Sequence, residues 1–273
     1  MRKRGRMQHT GPVAIAVLGL GEAGSLIARD LTRAGHTVRG WDPDLHGDLS
    51  EIPLAPTFAA AVEGADIILS VNWAAVALDV AREALPLLRR GAIYADLNTG
   101  GPSLKQQLAA VIAPSGAAFV DVAMMSPVPP VGIRVPMFLA GDGAPALAAF
   151  LEPLGTPLEI VGSEPGEAAA RKLTRSVFFK GMSGAICEAL DAARAAGVED
   201  WLRSDIVKTF VNADATLLDR IVVGTYKHAK RRAHEMRDAT ALLDELGVPA
   251  TITRATAESL ERIVAGQQPT ASP

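Results

Sequence analysis

Strand-like apolar runs alternate with stretches of helical periodicity over the first 165 residues of the chain. The first run, at residues 13–18, is apolar at every position, which is typical of a strand buried on both faces of a parallel sheet. Strands are predicted at 13–18, 38–41, 66–71, 92–96, 117–121, 135–140 and 157–161, and helices at 22–34, 74–89, 103–112 and 143–151. This alternation predicts a doubly wound, parallel α/β sheet.

The pattern changes after Gly166. Residues 167–196 contain no proline and read as one long helix, and further helices are predicted at 200–219, 220–246 and 250–265. We therefore predict an α/β domain at residues 12–165 and an all-helical domain at 166–266. The ends of the chain, residues 1–11 and 267–273, are predicted to be flexible.

Composition and charge argue against nucleic acid binding, a membrane span, an internal disulfide and a metal site. The formal net charge of the 273-residue chain is -3, which gives no electrostatic reason to expect nucleic acid. No apolar stretch approaches the roughly 20 residues that a membrane span needs. Cys187 is the only cysteine, so an internal disulfide is excluded and a reducing cytoplasm is expected. No His, Cys and Asp group has metal-ligand spacing, so no metal is predicted.

A glycine-rich turn directly follows the first predicted strand and opens the first helix. Its residues are Gly19, Leu20, Gly21, Glu22, Ala23 and Gly24. In such a turn the first glycine permits the tight bend, the second lets the backbone approach a pyrophosphate, and the third allows close packing of helix on strand. The start of the helix adds free N–H groups and a positive dipole end. The sequence thus predicts a Rossmann dinucleotide-binding domain.

Residues at the ends of later strands extend this cofactor site. Asp42 ends the second strand, where a carboxylate accepts hydrogen bonds from the ribose hydroxyls and repels a 2′-phosphate. We therefore expect NAD, with NADP possible. Asn72 and Thr99 follow strands that face the same crevice and are assigned to the cofactor site, with Ser126 assigned to the substrate. A helix cap explains Asn72 equally well, and turn formation is the alternative for the two hydroxyl residues.

Several of these segments resemble the β-hydroxyacid dehydrogenases, which include the 3-hydroxyisobutyrate, tartronate-semialdehyde and 6-phosphogluconate dehydrogenases. The glycine turn with residues 34–38 and Asp42 is similar to their N-terminal signature, with alanine for the usual methionine. Residues 96–102 are similar to their Asp-x-Ser-Thr-x-x-Pro segment, with asparagine for the serine. The resemblance implies hydride transfer between a nicotinamide cofactor and a small hydroxy acid.

The likeness is greatest to a branch described as 6-phosphogluconate-dehydrogenase-like, which has its own C-terminal helical domain. Residues 124–130, 172–181 and 231–236 carry it. Two departures from the family pattern bear on which substrate is bound. Ser176 stands where the family has asparagine, and prolines replace a glycine pair in the loop at residues 121–130.

The resemblance places the catalytic lysine of the family at Lys172. Lys172, Ser176 and Lys180 are four residues apart and so share one helix face. A lysine accepts a hydroxyl proton only when burial or a neighbouring cation lowers its pKa. Lys180 is a candidate for that cation, or for a substrate carboxylate ligand, although a solvated lysine pair on a helix surface is the alternative.

His234 occupies the position of a second family lysine and is a further substrate-binding candidate. It lies in the charged run 227–237, for which a solvated face is the alternative.

The expected function is that of an NAD-preferring dehydrogenase of small hydroxy acids, with Lys172 as general acid/base. An imine reductase is the first alternative, although those relatives often lack the lysine. A non-catalytic dinucleotide sensor is the second. A helix of about 30 residues beside a modest sheet needs more cover than one chain provides, so a homodimer is also expected.

Overall fold

The structure is a computed structural model that describes residues 11–266. The predicted flexible termini lie outside the described residues, except for Gly11. Seven strands are present: β1 (Ala14–Leu18), β2 (Thr37–Trp41), β3 (Ile67–Ser70), β4 (Ile93–Asp96), β5 (Ala118–Met124), β6 (Met137–Ala140) and β7 (Leu158–Gly162). They form one sheet in the order β2-β1-β3-β4-β5-β6-β7. The sheet is mostly parallel, which confirms the predicted fold class.

One strand pairing departs from a purely parallel sheet. The β6 strand runs antiparallel to β5, with Asp121 opposite Ala140, and β7 is parallel to β6. A parallel pairing requires a long crossover connection, usually a helix. Residues 125–136 contain only a single 3₁₀ turn at Gly132–Arg134. This connection is too short for a crossover, so β6 runs back beside β5 in the opposite direction.

Helices cover both faces of this sheet. They are α1 (Glu22–Arg33), α2 (Phe58–Val62), α3 (Ala77–Ala84), α4 (Pro102–Ile112) and α5 (Ala144–Leu151). Successive residues of β1 point to opposite faces, so Ile15 and Val17 join one apolar cluster while Ala16 and Leu18 join the other. Burial on both faces explains why this strand is apolar throughout.

The described chain forms two compact units, one ending at Arg175 and the other beginning at Ser176. The long helix α6 (Glu167–Ala195) belongs to both, and the second unit adds α7 (Glu199–Val211), α8 (Ala215–Lys227), α9 (Ala229–Glu245) and α10 (Thr251–Val264). The predicted domain boundary after residue 165 stays a prediction. No helix within residues 11–266 has the length and apolarity to cross a membrane.

The predicted helix division at residues 219 and 220 is wrong. That position lies inside α8, and the two breaks fall at residues 212–214 and at His228. The Asp214 carboxylate accepts a 3.0 Å hydrogen bond from the Leu217 backbone N–H, which caps the start of α8. The short α2 is absent from the prediction, and it is capped in the same way by the Thr57 hydroxyl.

Candidate functional site

The loops that follow β1 and β3 touch each other at Gly19. This residue has a φ of 102°, and a Cβ placed on it would lie 2.2 Å from the Val71 carbonyl oxygen. Only glycine allows this approach. In the strand order β2-β1-β3 the chain changes direction of winding between β1 and β3, and ligands of open α/β sheets bind beyond the carboxyl ends of the strands at such a point.

The other two glycines of the turn differ in the space around them. A Cβ on Gly24 would lie 1.9 Å from the Gly19 carbonyl oxygen, so this glycine allows α1 to pack against the turn. A Cβ on Gly21 would meet no heavy atom within 4 Å. Gly21 is the residue that precedes α1, so open space lies beside the unbonded N–H groups of the helix start. Glu22 is exposed there, and Ala23 packs partly against the core.

Asp42 connects the end of β2 to the glycine turn. Its Oδ2 accepts a 2.7 Å hydrogen bond from the Leu20 backbone N–H, and its Oδ1 accepts a 2.9 Å bond from the Asp44 N–H. A carboxylate offers about four acceptor positions. The side chain therefore holds the turn in place and retains capacity for further donors.

A network of hydrogen bonds joins polar side chains at the carboxyl ends of β3 and β4. The Asn72 amide donates to the Ser70 hydroxyl at 3.0 Å, and the Asn98 amide donates to Asn72 Oδ1 at 3.0 Å. Asn98 occupies the position of the family serine. Its longer side chain reaches across to Asn72, so both parts of the Asn72 amide are engaged within the protein.

A buried ion cluster lies below this network, and the sequence-based prediction missed it. Lys105 is 1% exposed, and Asp96 and Asp121 are 0% exposed. The Lys105 ammonium lies 2.5 Å from Asp96 Oδ2 and 3.2 Å from Asp121 Oδ1, and it donates to the carbonyl oxygens of Asp96 and Asn98 at 2.9 Å each. Burial raises the pKa of Asp96, and the adjacent ammonium opposes that rise.

The position of Lys105 along α4 gave a signal for this cluster. The buried residues of α4 are Lys105, Leu108 and Ile112, a spacing of three and then four residues that defines the inward face of a helix. A lysine on that face must be paired.

The first turns of α6 carry Lys172 to the same edge of the sheet. Asp121 Oδ2 accepts hydrogen bonds from the backbone N–H groups of Gly166 at 3.1 Å and Ala169 at 2.9 Å. The half-buried Lys172 donates from Nζ to the Thr99 hydroxyl at 3.1 Å. Thr99 follows β4, so the structure brings these two predicted site residues together. Ser126 is exposed in the loop after β5.

The remaining predicted site residues lie in the second unit. Ser176 is half-buried on α6, and Lys180, one turn further along that helix, is exposed. His234 is exposed on α9, with Nδ1 3.3 Å from Arg237 Nη1. Their assignment to a substrate pocket stays a prediction. Within residues 11–266, no group of three or more His, Cys, Asp or Glu is placed to hold a metal ion.

Two sequence families match the chain. Residues 14–126 match the NAD binding domain of 6-phosphogluconate dehydrogenase, and residues 193–263 match DUF1932, a domain of unknown function. An uncharacterised 28.5 kDa protein of Methanothermus fervidus is 30% identical over 175 residues. The match covers 64% of this chain and 66% of that protein, slightly less than two thirds of its length.

Solved structures resemble the chain over most of its length. A conserved hypothetical protein from Sinorhizobium meliloti 1021 is 32% identical, with 97% of this chain and 92% of that chain covered and a TM-score of 0.62. A conserved protein of unknown function, reported as structurally similar to 3-hydroxyacid dehydrogenases, is 25% identical, with 93% and 99% covered and a TM-score of 0.61.

An imine reductase variant from Myxococcus stipitatus, in complex with NAD+, shares the fold at 21% identity. The likeness covers 94% of both chains with a TM-score of 0.80. The comparisons confirm the resemblance noted from the sequence. The chain therefore joins an NAD-binding domain like that of 6-phosphogluconate dehydrogenase to a C-terminal DUF1932 domain.

Proposed function

We propose that this protein is an NAD-dependent oxidoreductase that transfers a hydride between the nicotinamide and a small β-hydroxy acid, with Lys172 as general acid/base. The observation that carries the proposal is the 3.1 Å contact between Lys172 Nζ and Thr99 Oγ1. It lies beyond the carboxyl end of β4, at the sheet edge that also bears the glycine turn. A proton-transferring group thus shares one edge with a dinucleotide cradle.

The glycine turn fits a dinucleotide. Gly21 leaves open space where a side chain would stand, beside the first N–H groups of α1, and these groups suit the charge of a pyrophosphate. The nicotinamide, when bound, supplies the acceptor or donor of the hydride. The residues assigned to hold the cofactor are Gly19, Leu20, Gly21, Glu22, Ala23, Gly24, Asp42, Asn72 and Thr99.

The charges after β2 favour NAD over NADP. Asp42 and Asp44 would both repel a 2′-phosphate. The arginines of α1 are engaged elsewhere: Arg33 binds both oxygens of Glu51, and Arg29 donates to the Asp48 carbonyl.

Lys172 supplies the proton chemistry in both directions. In oxidation its neutral amine takes the proton of the substrate hydroxyl while the carbon that bears this hydroxyl gives up its hydride. In reduction its ammonium returns a proton to the carbonyl oxygen. Thr99 accepts one N–H of Lys172, which limits the directions in which the amine can face. Ser126, Ser176, Lys180 and His234 are the proposed substrate-binding residues.

Imine reduction is the second candidate, and the 0.80 TM-score with the imine reductase favours it. The two reactions share the hydride step and differ in the acceptor, which is C=N rather than C=O. Lys172 supports the hydroxy acid. A panel of small β-hydroxy acids and cyclic imines, read by NADH and NADPH absorbance, separates the two. Cofactor binding without turnover of any compound would indicate a sensor instead.

The second unit supports a homodimer. No residue of α7 or α8 is buried, although both helices carry large apolar side chains. Those more than 45% exposed are Trp201, Val207, Phe210, Val211, Leu218, Ile221, Val222, Val223 and Tyr226. Apolar surface on this scale is typical of an interface, and we propose a second copy of the chain as its partner.

A further inference from the structure

The geometry points to Lys105 as a positioning residue that sets the relation between Lys172 and Thr99. This inference rests on the proposed role of Lys172 and extends it to a residue that no motif marks. All the contacts that carry it lie within the first unit.

Lys105 supports Thr99 through the backbone. Its ammonium donates to the carbonyl oxygens of Asp96 and Asn98 at 2.9 Å each. Asn98 directly precedes Thr99, so the Lys105 contact fixes the peptide that leads into the hydroxyl-bearing residue. The side chain is 1% exposed, and water cannot replace it there without opening the core.

Lys105 supports Lys172 through Asp121. Its ammonium lies 3.2 Å from Asp121 Oδ1, and the other oxygen of that carboxylate accepts the Gly166 and Ala169 N–H groups at the start of α6. Ala169 and Lys172 are three residues apart, or about one helical turn. One cation therefore donates hydrogen bonds to the segment that leads into Thr99 and forms an ion pair with the carboxylate that binds the start of α6.

The charge balance explains why a cation is needed between these elements. Asp96 and Asp121 are paired residues on the neighbouring strands β4 and β5, and both are 0% exposed. Two buried carboxylates at adjacent positions repel each other strongly. Lys105 allows both to keep their acceptor roles, one toward Asn98 and one toward α6.

The test measures the reactivity of the Lys172 amine and needs no substrate. Trace labelling with acetic anhydride at pH 8, followed by peptide mass spectrometry, reports the labelling rate of Lys172 relative to the exposed Lys208. The variants are Thr99→Val, Lys105→Met and the two combined. NADH binding shows that each is folded. If Lys105→Met alone fails to bind NADH, the pair Lys105→Met with Asp96→Asn replaces it.

We expect Thr99→Val alone to speed Lys172 labelling by about threefold, because the ammonium form loses an acceptor worth roughly one ordinary hydrogen bond. In the Lys105→Met background the same substitution should change the rate by less than about 1.5-fold, because the Thr99 contact is already lost. Arg89→Met is the control background, because it removes contacts to Ala65 and Asp66 at the opposite end of β3. In that background Thr99→Val should still speed Lys172 labelling by about threefold.

An unchanged Thr99→Val effect in the Lys105→Met background would overturn the inference. So would the absence of any effect in the otherwise native chain. Failure of the proposed function is a separate result, since it would appear as full turnover after replacement of Lys172, whatever the labelling shows.

Discussion

The Asp42 carboxylate accepts the backbone N–H of Leu20 at 2.7 Å, which joins the end of β2 to the glycine turn. The same side chain is assigned to the adenosine ribose. Asp42 therefore shapes the glycine turn, and in the proposed function it also selects the cofactor.

Replacing Asp42 by asparagine should weaken the preference for NAD. The amide side chain keeps an oxygen for the Leu20 N–H but removes the negative charge that repels a 2′-phosphate. We expect the ratio of the NADPH to the NADH dissociation constant to fall by about tenfold, or about 1.4 kcal/mol. Fluorescence titration with both cofactors measures it. Asp48→Asn, in the same loop, is the control and should leave the ratio as it is.

Alanine substitutions at Gly21 and Gly24 should separate binding from folding. Gly21→Ala places a methyl group in open space, so its melting temperature should stay within a few degrees of native while NADH binding weakens by about tenfold or more. Gly24→Ala forces a methyl group against the Gly19 carbonyl and should cost about 2 kcal/mol or more of folding free energy. If both variants bound NADH as tightly as the native protein, the assignment of the glycine turn to the cofactor would be contradicted.

Glu188 should make the second unit sensitive to acid. Burial by itself raises its pKa, but hydrogen bonds from the Thr253 hydroxyl and the Ile252 and Thr253 N–H groups outweigh burial and lower it. A lowered folded-state pKa means that the stabilisation is present above the unfolded-state value and is lost as pH falls through the folded-state value.

Glu188→Ala should therefore cost about 1 kcal/mol at pH 7, in the range of a helix cap, and much less once the pH falls below the folded-state pKa of the Glu188 carboxyl. Thermal unfolding at several pH values gives the difference. Glu258→Ala, on the exposed side of α10, is the matched control, and an equal pH dependence in both variants would count against the Glu188 cap.

A charge on the exposed face of α7 or α8 should dissociate the proposed homodimer. Phe210→Glu and Ile221→Glu each place a carboxylate where an apolar side chain is 51% or 53% exposed in the single chain. The molecular mass measured by light scattering should fall from about twice the mass of one chain to the mass of one chain. Leu45→Glu, a comparably exposed site in the first unit, should have no such effect. A native protein of monomeric mass would end the proposal.

The strands were predictable because most of them are buried on both faces, and continuous apolar runs such as residues 13–18 report that directly. Strand direction leaves no mark on such a run, so the reversal at β6 was not visible. The breaks around Asp214 and His228 contain neither glycine nor proline, and a cap within a helical pattern is a weak signal.

The candidate site was only partly visible in the sequence. Motifs identified the glycine turn and Lys172, because backbone geometry and chemistry restrict the residue types there. The contact of Lys172 with Thr99 and the pairing of Lys105 with two aspartates join residues up to 73 positions apart, which only the folded sheet brings together.

The most direct test of the proposed function is the turnover of a Lys172→Met variant on the best substrate of the β-hydroxy acid panel, measured together with its NADH affinity. We predict that kcat falls by at least about 100-fold, as expected for the loss of a general acid/base, while the dissociation constant for NADH changes less than about threefold. Native kcat in a variant that binds NADH normally would contradict the assignment of Lys172.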